Sequence, residues 1–482
     1  MNYLELLKLA APEAIVVFAA IIVLTVGLAR ANSELICSIV AALGLIAAGI
    51  AVSMLPHANL FGGMLVVSPL TMLFQIICLA LALFAVLLAH GGSVRHRAEY
   101  LALLLFATVG LMLLISSEEL LMIFIGLELT GLSLYLMTAF DKADGRSAEA
   151  GMKYFLFGST ASAFTLFGLS FVYGIAGSTA LAAIGEKLTA QAVQPLLAAG
   201  IVMTLVGLAF KVAAAPFHLW APDAYEAGPV PSAAFIASAS KAASFVVLGK
   251  VVLIGFGAAQ GSADWHAIAA GWSPILAAIA ALSIVLGNLV ALAQTNVRRL
   301  LAYSAVAHAG YTLLGIISGR AGFAATLFYT TVYAFTLVGA FGVIARVRAA
   351  TGGDDISNFR GLSIRSPLLA GCMAIFLLSL AGLPPLAGFF GKFYLFSAAL
   401  GAGDNHGLLW LVALALLGSL VSLYYYLAVL RVIFVDEAAA EDSAPIIPQS
   451  LQRIALTVLA AAVVLLGTLP ATLVARIVAS LE

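Results

Sequence analysis

Charge is scarce in this sequence: charged residues make up 9% of its 482 residues, and hydrophobic residues make up 63%. Soluble domains carry about 25% charged residues, so the chain lacks the polar surface that a soluble globule needs. The 22 basic and 22 acidic residues balance, which leaves no basic excess of the kind that binds nucleic acid. These shortages exclude a soluble globular protein and a nucleic-acid partner, and they favour a protein embedded in the lipid bilayer.

Cysteine is also scarce, and the three cysteines lie far apart in apolar runs: Cys37, Cys78 and Cys372. None belongs to a CxxC motif or to a cluster with histidine, the spacing that zinc and iron–sulfur sites need. The sequence therefore predicts no metal site. We interpret the three cysteines as apolar filling within helices.

Apolar runs of about 20 residues, the length of a membrane-spanning helix, recur along the whole chain. A transmembrane β-barrel would instead alternate in segments of about 10 residues. Glu5 and Glu13 replace the basic start of a signal peptide, so we expect the first run to be retained. The sequence predicts an all-α polytopic membrane protein with about fourteen transmembrane helices, at 12–30, 34–55, 68–89, 99–116, 119–139, 149–174, 195–215, 232–257, 272–292, 299–318, 322–346, 367–400, 408–434 and 450–475.

The basic residues of the loops predict the orientation, because cytoplasmic loops carry the excess of Lys and Arg. With the N-terminus outside, thirteen basic residues face the cytoplasm: Arg30, Arg95, Arg97, Lys142, Arg146, Arg298, Arg299, Arg346, Arg348, Arg360, Arg365, Arg431 and Arg453. Four remain outside: Lys8, Lys187, Arg320 and Arg476. We expect a bacterial inner-membrane protein with both termini on the periplasmic side.

Five of the 22 basic residues fall inside predicted spans: Lys153, Lys211, Lys241, Lys250 and Lys392. One acidic residue, Glu128, is also plainly mid-span. A charge at the bilayer centre costs about 2.5–3.5 kcal/mol, so such side chains face a protein interior or a wet cavity. A line of them can carry protons. The alternative for Glu128 is a static ion pair with a lysine of another helix, since no basic residue lies three or four positions away.

Two of these lysines accompany prolines that break a span. Lys211 precedes Pro216, and Lys392 follows Pro384 and Pro385. Proline cannot donate to the helix, and broken helices at membrane depth line cavities in transporters. We expect the seventh and twelfth spans to be broken, with the carbonyls of residues 380 and 381 freed at the second break. The alternative for Lys211 is a simple kink with a lysine reaching for the interface.

Hydroxyl residues accompany two further candidates. Ser238 and Ser244 lie three residues either side of Lys241, and Ser304 and Thr312 lie four either side of His308. We interpret Lys241 as a relay residue, whereas His308 fits a relay and a satisfied core histidine equally well.

Lys250 and Lys153 remain open. Snorkelling towards the membrane surface explains Lys250 as well as function does. Lys153 fits both an interfacial residue and a bridge between polar sites.

The spacing of these residues suggests an internal repeat. Lys392 follows Lys211 by 181 positions, and His308 follows Glu128 by 180. This offset spans five helices, an odd number, so the two copies would be inverted. We expect two inverted five-helix repeats, spans 4–8 and 9–13. The predicted segments are an N-terminal one of three helices (1–98), the two half-channel repeats (99–257 and 258–434) and a C-terminal helix (435–482).

The stretch KVAAAPFHLWAPDAYEAGPVPSAAFIASASK, the mid-span Glu128 and the GLPPLAGFFGKFYLF break resemble the antiporter-like membrane subunits of respiratory complex I and of multi-subunit cation/proton antiporters. The resemblance covers nearly the whole chain. It is closest to the subunit N branch, because Lys392 stands where subunit M carries glutamate and the long lateral helix of subunit L is missing.

The resemblance implies proton translocation coupled to quinone reduction in other subunits of an NADH–quinone oxidoreductase. Glu128 and Lys211 would pair in the first half-channel, Lys241 would link towards the centre, Lys392 would end the second half-channel, and His308 would be a relay. Lys153 is a weaker candidate. No cofactor is expected in this chain, because NADH, FMN, Fe–S clusters and quinone would belong to partner subunits.

The expected partners are neighbouring antiporter-like and small membrane subunits. The alternative functions are a subunit of a multi-subunit Na⁺/H⁺ antiporter, a structural scaffold, and a self-contained transporter of an organic solute.

Overall fold

The computed structural model describes residues 7–30, 33–90, 96–189, 194–402, 406–437 and 444–481. Within these residues, twelve helices are long and apolar enough to cross a membrane. This confirms the predicted class, a polytopic helical membrane protein. Arg95, which the orientation argument uses, lies outside the described residues.

The described part of the N-terminal segment contains the helices α1 (Ala11–Ala29), α2 (Glu34–Ser53) and α3 (Pro69–Ala89). Two short strands, β1 (Ala58–Leu60) and β2 (Leu65–Val67), pair antiparallel in the connection between α2 and α3. The α3 helix begins where Ser68 and Thr71 bond reciprocally to each other's backbone N–H groups. This capping box satisfies donors that a helix start otherwise leaves unpaired.

The next helices carry the first four predicted site residues: α4 (Arg97–Ser116), α5 (Leu120–Thr138), α6 (Gly145–Ala176), α7 (Leu181–Thr189), α8 (Pro195–Lys211), α9 (Trp220–Ala227) and α10 (Val230–Gly255). The α10 helix contains two π-helical turns, Ile236–Ser240 and Val251–Gly255. Such turns insert an extra residue into the helix and occur frequently at functional sites.

A second set of helices follows: α11 (Trp272–Leu292), α12 (Val297–Ile317), α13 (Gly319–Thr351), α14 (Leu362–Arg365), α15 (Pro367–Ala381), α16 (Ala387–Leu400) and α17 (Leu409–Phe434). The chain continues with α18 (Ser450–Thr468) and α19 (Pro470–Leu481). The predicted last span, 450–475, is therefore wrong in its extent. It ends near Thr468 because Pro470 has no N–H with which to continue the helix.

The seventh and twelfth spans are both broken, as the prolines predict. The α8 helix ends at Lys211, five residues before Pro216, so the predicted boundary at 215 was too late. The extended loop is held by the backbone N–H of Ala215, which donates to Ser283 Oγ at 2.8 Å. The second break begins at Gly382, whose positive φ of 87° suits glycine.

Three helices form the centre of the molecule. Helices α10, α12 and α13 are almost wholly buried, and α13 packs against both of the others and against α15 and α16. Polar side chains on α10 and α12 consequently lie in the protein interior and not against lipid.

Candidate functional site

Glu128 and Lys211 line one small cavity of about 20 Å³ between α5, α6 and α8. Glu128 is half-buried and accepts a hydrogen bond from Ser162 Oγ. Lys211 is buried and donates to Leu127 O at 3.4 Å. Among the described residues, the carboxylate and the ammonium form no direct ion pair. Glu128 and Lys211 therefore line the same cavity, as predicted, but do not contact each other as an ion pair.

The break beside Lys211 is locked by aromatic residues. Trp220, the first residue of α9, donates its Nε1–H to Phe210 O at 3.1 Å. Its indole stacks on Tyr154 with ring centroids 4.0 Å apart. The Phe210 carbonyl, which also accepts from Ala213 N at 3.0 Å, therefore has two donors at the end of α8.

Lys241 lies at the centre of the molecule, directly after the first π-helical turn of α10. Its Nζ donates to Ala305 O of α12 at 2.5 Å and lies 5.6 Å from the ring centroid of Tyr333. The neighbouring serines bond to their own helix: Ser238 Oγ donates to Ala234 O, and Ser244 Oγ to Ser240 O. The predicted hydroxyl stripe therefore does not contact the lysine.

Lys241 and His308 share a second cavity of about 10 Å³, which Thr312, Thr330 and Tyr333 also line. A single water needs roughly 10–15 Å³, so the space between the lysine and the imidazole is close to the size of one water.

His308 connects two tyrosines. Its Nδ1 bonds to the hydroxyl of Tyr329 on α13, and its Nε2 to the hydroxyl of Tyr426 on α17 at 3.1 Å. The Tyr426 hydroxyl also bonds to Ser304 Oγ. His308 therefore joins three helices through groups that can both donate and accept protons.

Lys392 lies just after the second break. Its Nζ donates to Ala381 O at 2.9 Å and to Ser419 Oγ at 2.8 Å, and lies 5.4 Å from the ring centroid of Tyr311. The freed carbonyl of residue 381, expected from the sequence, is thus paired by this lysine. Lys211 lies before its break and Lys392 after its own, so the 181-residue offset does not relate equivalent positions.

A tyrosine and asparagine network near Lys392 was missed by the sequence analysis. Asn288 Nδ2 donates to Tyr311 Oη at 2.9 Å, and Tyr425 Oη donates to Asn288 Oδ1 at 3.1 Å. The signal available in the sequence was Asn288 itself, a polar residue within the apolar span 272–292.

Lys153 lies apart from the buried set. It is 43% exposed and pairs with Glu149 at 2.7 Å and Asp223 at 2.9 Å. Asp223 also pairs with Arg299 of α12 at 2.8 Å. The bridging interpretation of Lys153 is therefore favoured, at the edge of the membrane and between charged surface groups.

Two of the buried carboxylates that the sequence analysis missed have side-chain partners. Glu13 on α1 accepts from Gln75 Nε2 at 2.9 Å. Asp354 is 4% exposed and pairs with Arg298 at 2.7 Å and with Arg348. Both lie near span ends, where sequence reasoning assigns charges to the surface.

The sequence is similar to known proteins over nearly its whole length. Residues 117–421 match the family described as "NADH:quinone oxidoreductase/Mrp antiporter, TM". The chain is 48% identical over 489 residues to NADH-quinone oxidoreductase subunit N 2 of Acidobacterium capsulatum, with 98% of each chain covered.

Solved structures show the same fold. A chain of respiratory complex I from Thermus thermophilus with bound aureothin is similar with a TM-score of 0.81 and 33% identity, over 96% of this chain and 98% of that chain. A chain of the Mrp complex from Dietzia sp. gives a TM-score of 0.84 at 20% identity, over 100% and 97%.

Proposed function

The chain belongs to the family of transmembrane subunits shared by NADH:quinone oxidoreductases and Mrp antiporters, and from this premise we propose that it is a proton-translocating membrane subunit of an NADH–quinone oxidoreductase. Its relatives at 42–48% identity include subunits N of that complex. Electron transfer belongs to other subunits, and the neighbours of this chain are further membrane subunits.

One observation carries the proposal: Lys211, Lys241 and Lys392 are buried and, within the described part of the chain, form no ion pair. Each donates instead to a main-chain carbonyl. An unpaired buried ammonium is costly, whereas a neutral amine is not. Side chains of this kind take up and release protons as their surroundings change.

The proposed path runs through these groups in the order of their contacts. A charge arriving from a neighbouring subunit alters the Glu128–Lys211 cavity. The proton then passes through Lys241, the shared cavity and His308 to the tyrosines of α13 and α17. Lys392 ends the path beside the second break. Lys153, which pairs with Glu149 and with Asp223 of α9, lies beside this path and not on it.

Backbone geometry supports two repeats, residues 99–257 and 258–434. Helices α4, α5 and α6 have 20, 19 and 32 residues, and α11, α12 and α13 have 21, 21 and 33. A broken span and a 26-residue helix follow in both sets. An isolated β-bridge precedes α5 (Glu119 with Ala180) and another precedes α12 (Asn296 with Asp355).

The proposed location is the bacterial inner membrane with both termini periplasmic, as the basic residues of the loops predict. Five spans separate the two bridges, so the first would lie at the periplasmic face and the second at the cytoplasmic face. We propose on this basis that the repeats are inverted and that fourteen spans cross the bilayer.

The test replaces Lys241 with Met in the assembled complex, reconstituted in vesicles, and measures proton pumping per NADH oxidised. Because Met keeps the volume and removes the charge, we expect assembly to persist and pumping to fall severalfold. Glu128→Gln should behave alike. Lys187→Met, on an exposed lysine, is the matched control.

Wild-type pumping in an assembled Lys241→Met complex would contradict the proposal and favour a structural scaffold. The Na⁺/H⁺ antiporter alternative rests on the shared family and on the fold, since identity to the Mrp chain is 20%. A gentle purification of the chain decides between them: co-purified NADH oxidation activity supports the oxidoreductase, and its absence from an intact assembly supports the antiporter.

A further inference from the structure

A fourth buried lysine, Lys250, has the same kind of contact as the three lysines of the proposed path. It is 2% exposed, and its Nζ donates to Ile115 O of α4 at 3.0 Å. Lys211, Lys241 and Lys392 likewise each donate to a carbonyl of another helix. Snorkelling does not explain Lys250, because its ammonium is enclosed by protein.

Lys250 differs from the other three in having a carboxylate partner. Its Nζ lies 3.2 Å from Glu118 Oε1, and the Glu118 side chain is 27% exposed. A fully enclosed ammonium therefore contacts a carboxylate that reaches the surface. Among the buried lysines of the described chain, only this one pairs with a carboxylate.

The position of Glu118 identifies the face. It lies in the short connection between α4 and α5, where its N–H donates to Gly63 O at 2.8 Å and its carbonyl accepts from Leu181 N at 2.9 Å. Gly63 belongs to the connection between α2 and α3, and Leu181 follows α6. All three connections lie at the same end of the bundle, the end that the proposed orientation assigns to the periplasm.

The α10 helix links Lys250 to the path. The first π-helical turn ends directly before Lys241, and the second begins directly after Lys250. Nine residues of helix separate the two lysines, which is about 13 Å of axial rise. Ser244 is buried one turn beyond Lys241. The two lysines thus lie at the two ends of the regular helical segment between the π-helical turns, in a helix that is almost wholly buried.

We propose that Lys250 and Glu118 form a proton outlet of the first half-channel at this face, an assignment that rests on the proposed function. On this branch, which leaves the path at Lys241 before His308, a proton lost by the Lys241 ammonium travels along α10 on water and is taken up by the Glu118 carboxylate, which becomes a neutral carboxyl. The carboxyl then releases the proton to bulk water. Loss of this proton restores the Lys250–Glu118 ion pair.

Glu118→Gln in the assembled, reconstituted complex tests the outlet. We expect proton pumping per NADH to fall severalfold with assembly intact, and Glu118→Asp, which keeps the acid, to restore much of it. Glu186→Gln is the matched control, since Glu186 is exposed on α7 near the same face. Wild-type pumping in Glu118→Gln overturns the outlet.

A charge-reversed pair, Lys250→Glu with Glu118→Lys, separates transport from structure. It keeps an ion pair but removes the acid from the exposed position, so we expect assembly without full pumping. Full pumping in this double variant, or failure of both it and Glu118→Gln to assemble, overturns the outlet in favour of a structural pair. Lys241→Met is measured beside them: normal pumping there overturns the proposed function, whereas loss there with normal pumping in Glu118→Gln overturns the outlet alone.

Discussion

At the scale of single residues, His308 is the group through which the two halves of the proposed path meet. It shares a cavity with Lys241 and bonds to the hydroxyls of Tyr329 and Tyr426. Each of its ring nitrogens has one hydroxyl partner, so the imidazole can accept a proton on one side and donate one on the other. A proton relay and a structural bridge both explain these hydrogen bonds. The two roles differ in whether proton pumping survives when His308 is replaced by a side chain that does not titrate.

We predict that His308→Gln assembles normally but pumps severalfold fewer protons per NADH. The amide can still bond to hydroxyl partners, and it takes up no proton near neutral pH. His308→Phe should in addition lower the thermal unfolding midpoint, because an unpaired buried hydroxyl costs about 1–3 kcal/mol. Thermal unfolding and vesicle acidification are the two measurements.

Wild-type pumping in His308→Gln would show that the histidine only bridges the tyrosines. Loss of assembly in His308→Gln, with assembly kept in His308→Phe, would contradict the expected order of stability.

The sequence identified the buried lysines but could not identify their partners. Depth in an apolar run marks Lys211, Lys241 and Lys392 directly, because a charge there needs a protein interior. The acceptor of Lys241, however, lies 64 residues away along the chain and is a main-chain carbonyl, which every residue has. Tyr329 and Tyr426 were missed for a related reason: a tyrosine in an apolar helix looks like ordinary packing until its hydroxyl partner is known.

At the scale of helices, the packing of α4 on α5 positions Glu128. A Cβ at Gly110 would lie 2.7 Å from Thr130 N and 3.1 Å from Gly126 O, both on α5. Small residues allow such close approach of membrane helices. Gly126 and Thr130 lie two residues either side of Glu128, so movement of α5 at this contact would move the carboxylate.

We predict that Gly110→Ala reduces both the assembled complex and its pumping. The methyl group meets backbone that cannot move without shifting α5, and overpacking of this kind costs about 1–3 kcal/mol. Native gel electrophoresis measures assembly, and vesicle acidification measures pumping. Gly371→Ala is the control, since no atom lies within 4 Å of its added Cβ.

Equal behaviour of the two glycine variants would show that the α4–α5 contact does not position the glutamate.

Helix breaks were predictable to within a few residues, whereas irregular turns were not. Pro384 and Pro385 mark the second break, and α15 ends at Ala381. At the first break Pro216 marks the loop, but α8 ends five residues earlier, at Lys211, where Trp220 pairs the carbonyl of Phe210. The π-helical turns of α10 leave no mark in the sequence, because the extra residue is accommodated by packing and not by proline or glycine.

At the scale of the whole molecule, the proposed inversion of the two repeats is the property on which the path depends. Leu120 N donates to Thr179 O in the first bridge, and Val297 N donates to Asp354 O in the second, both at 2.9 Å. If five spans separate the bridges, the same local structure faces opposite sides of the membrane. The two broken spans, with Lys211 before one break and Lys392 after the other, would then open to different sides.

We predict that Ser178→Cys reacts with a membrane-impermeant thiol reagent in spheroplasts and that Thr295→Cys reacts in inverted vesicles. Ser178 is half-buried beside the first bridge, and Thr295 is exposed in the second. The three native cysteines are buried, so background labelling should be low. Labelling of both positions from one side would contradict the inverted repeat. Labelling of each from the side opposite to that expected would keep the inversion and reverse the orientation, moving the Glu118 outlet to the cytoplasmic face.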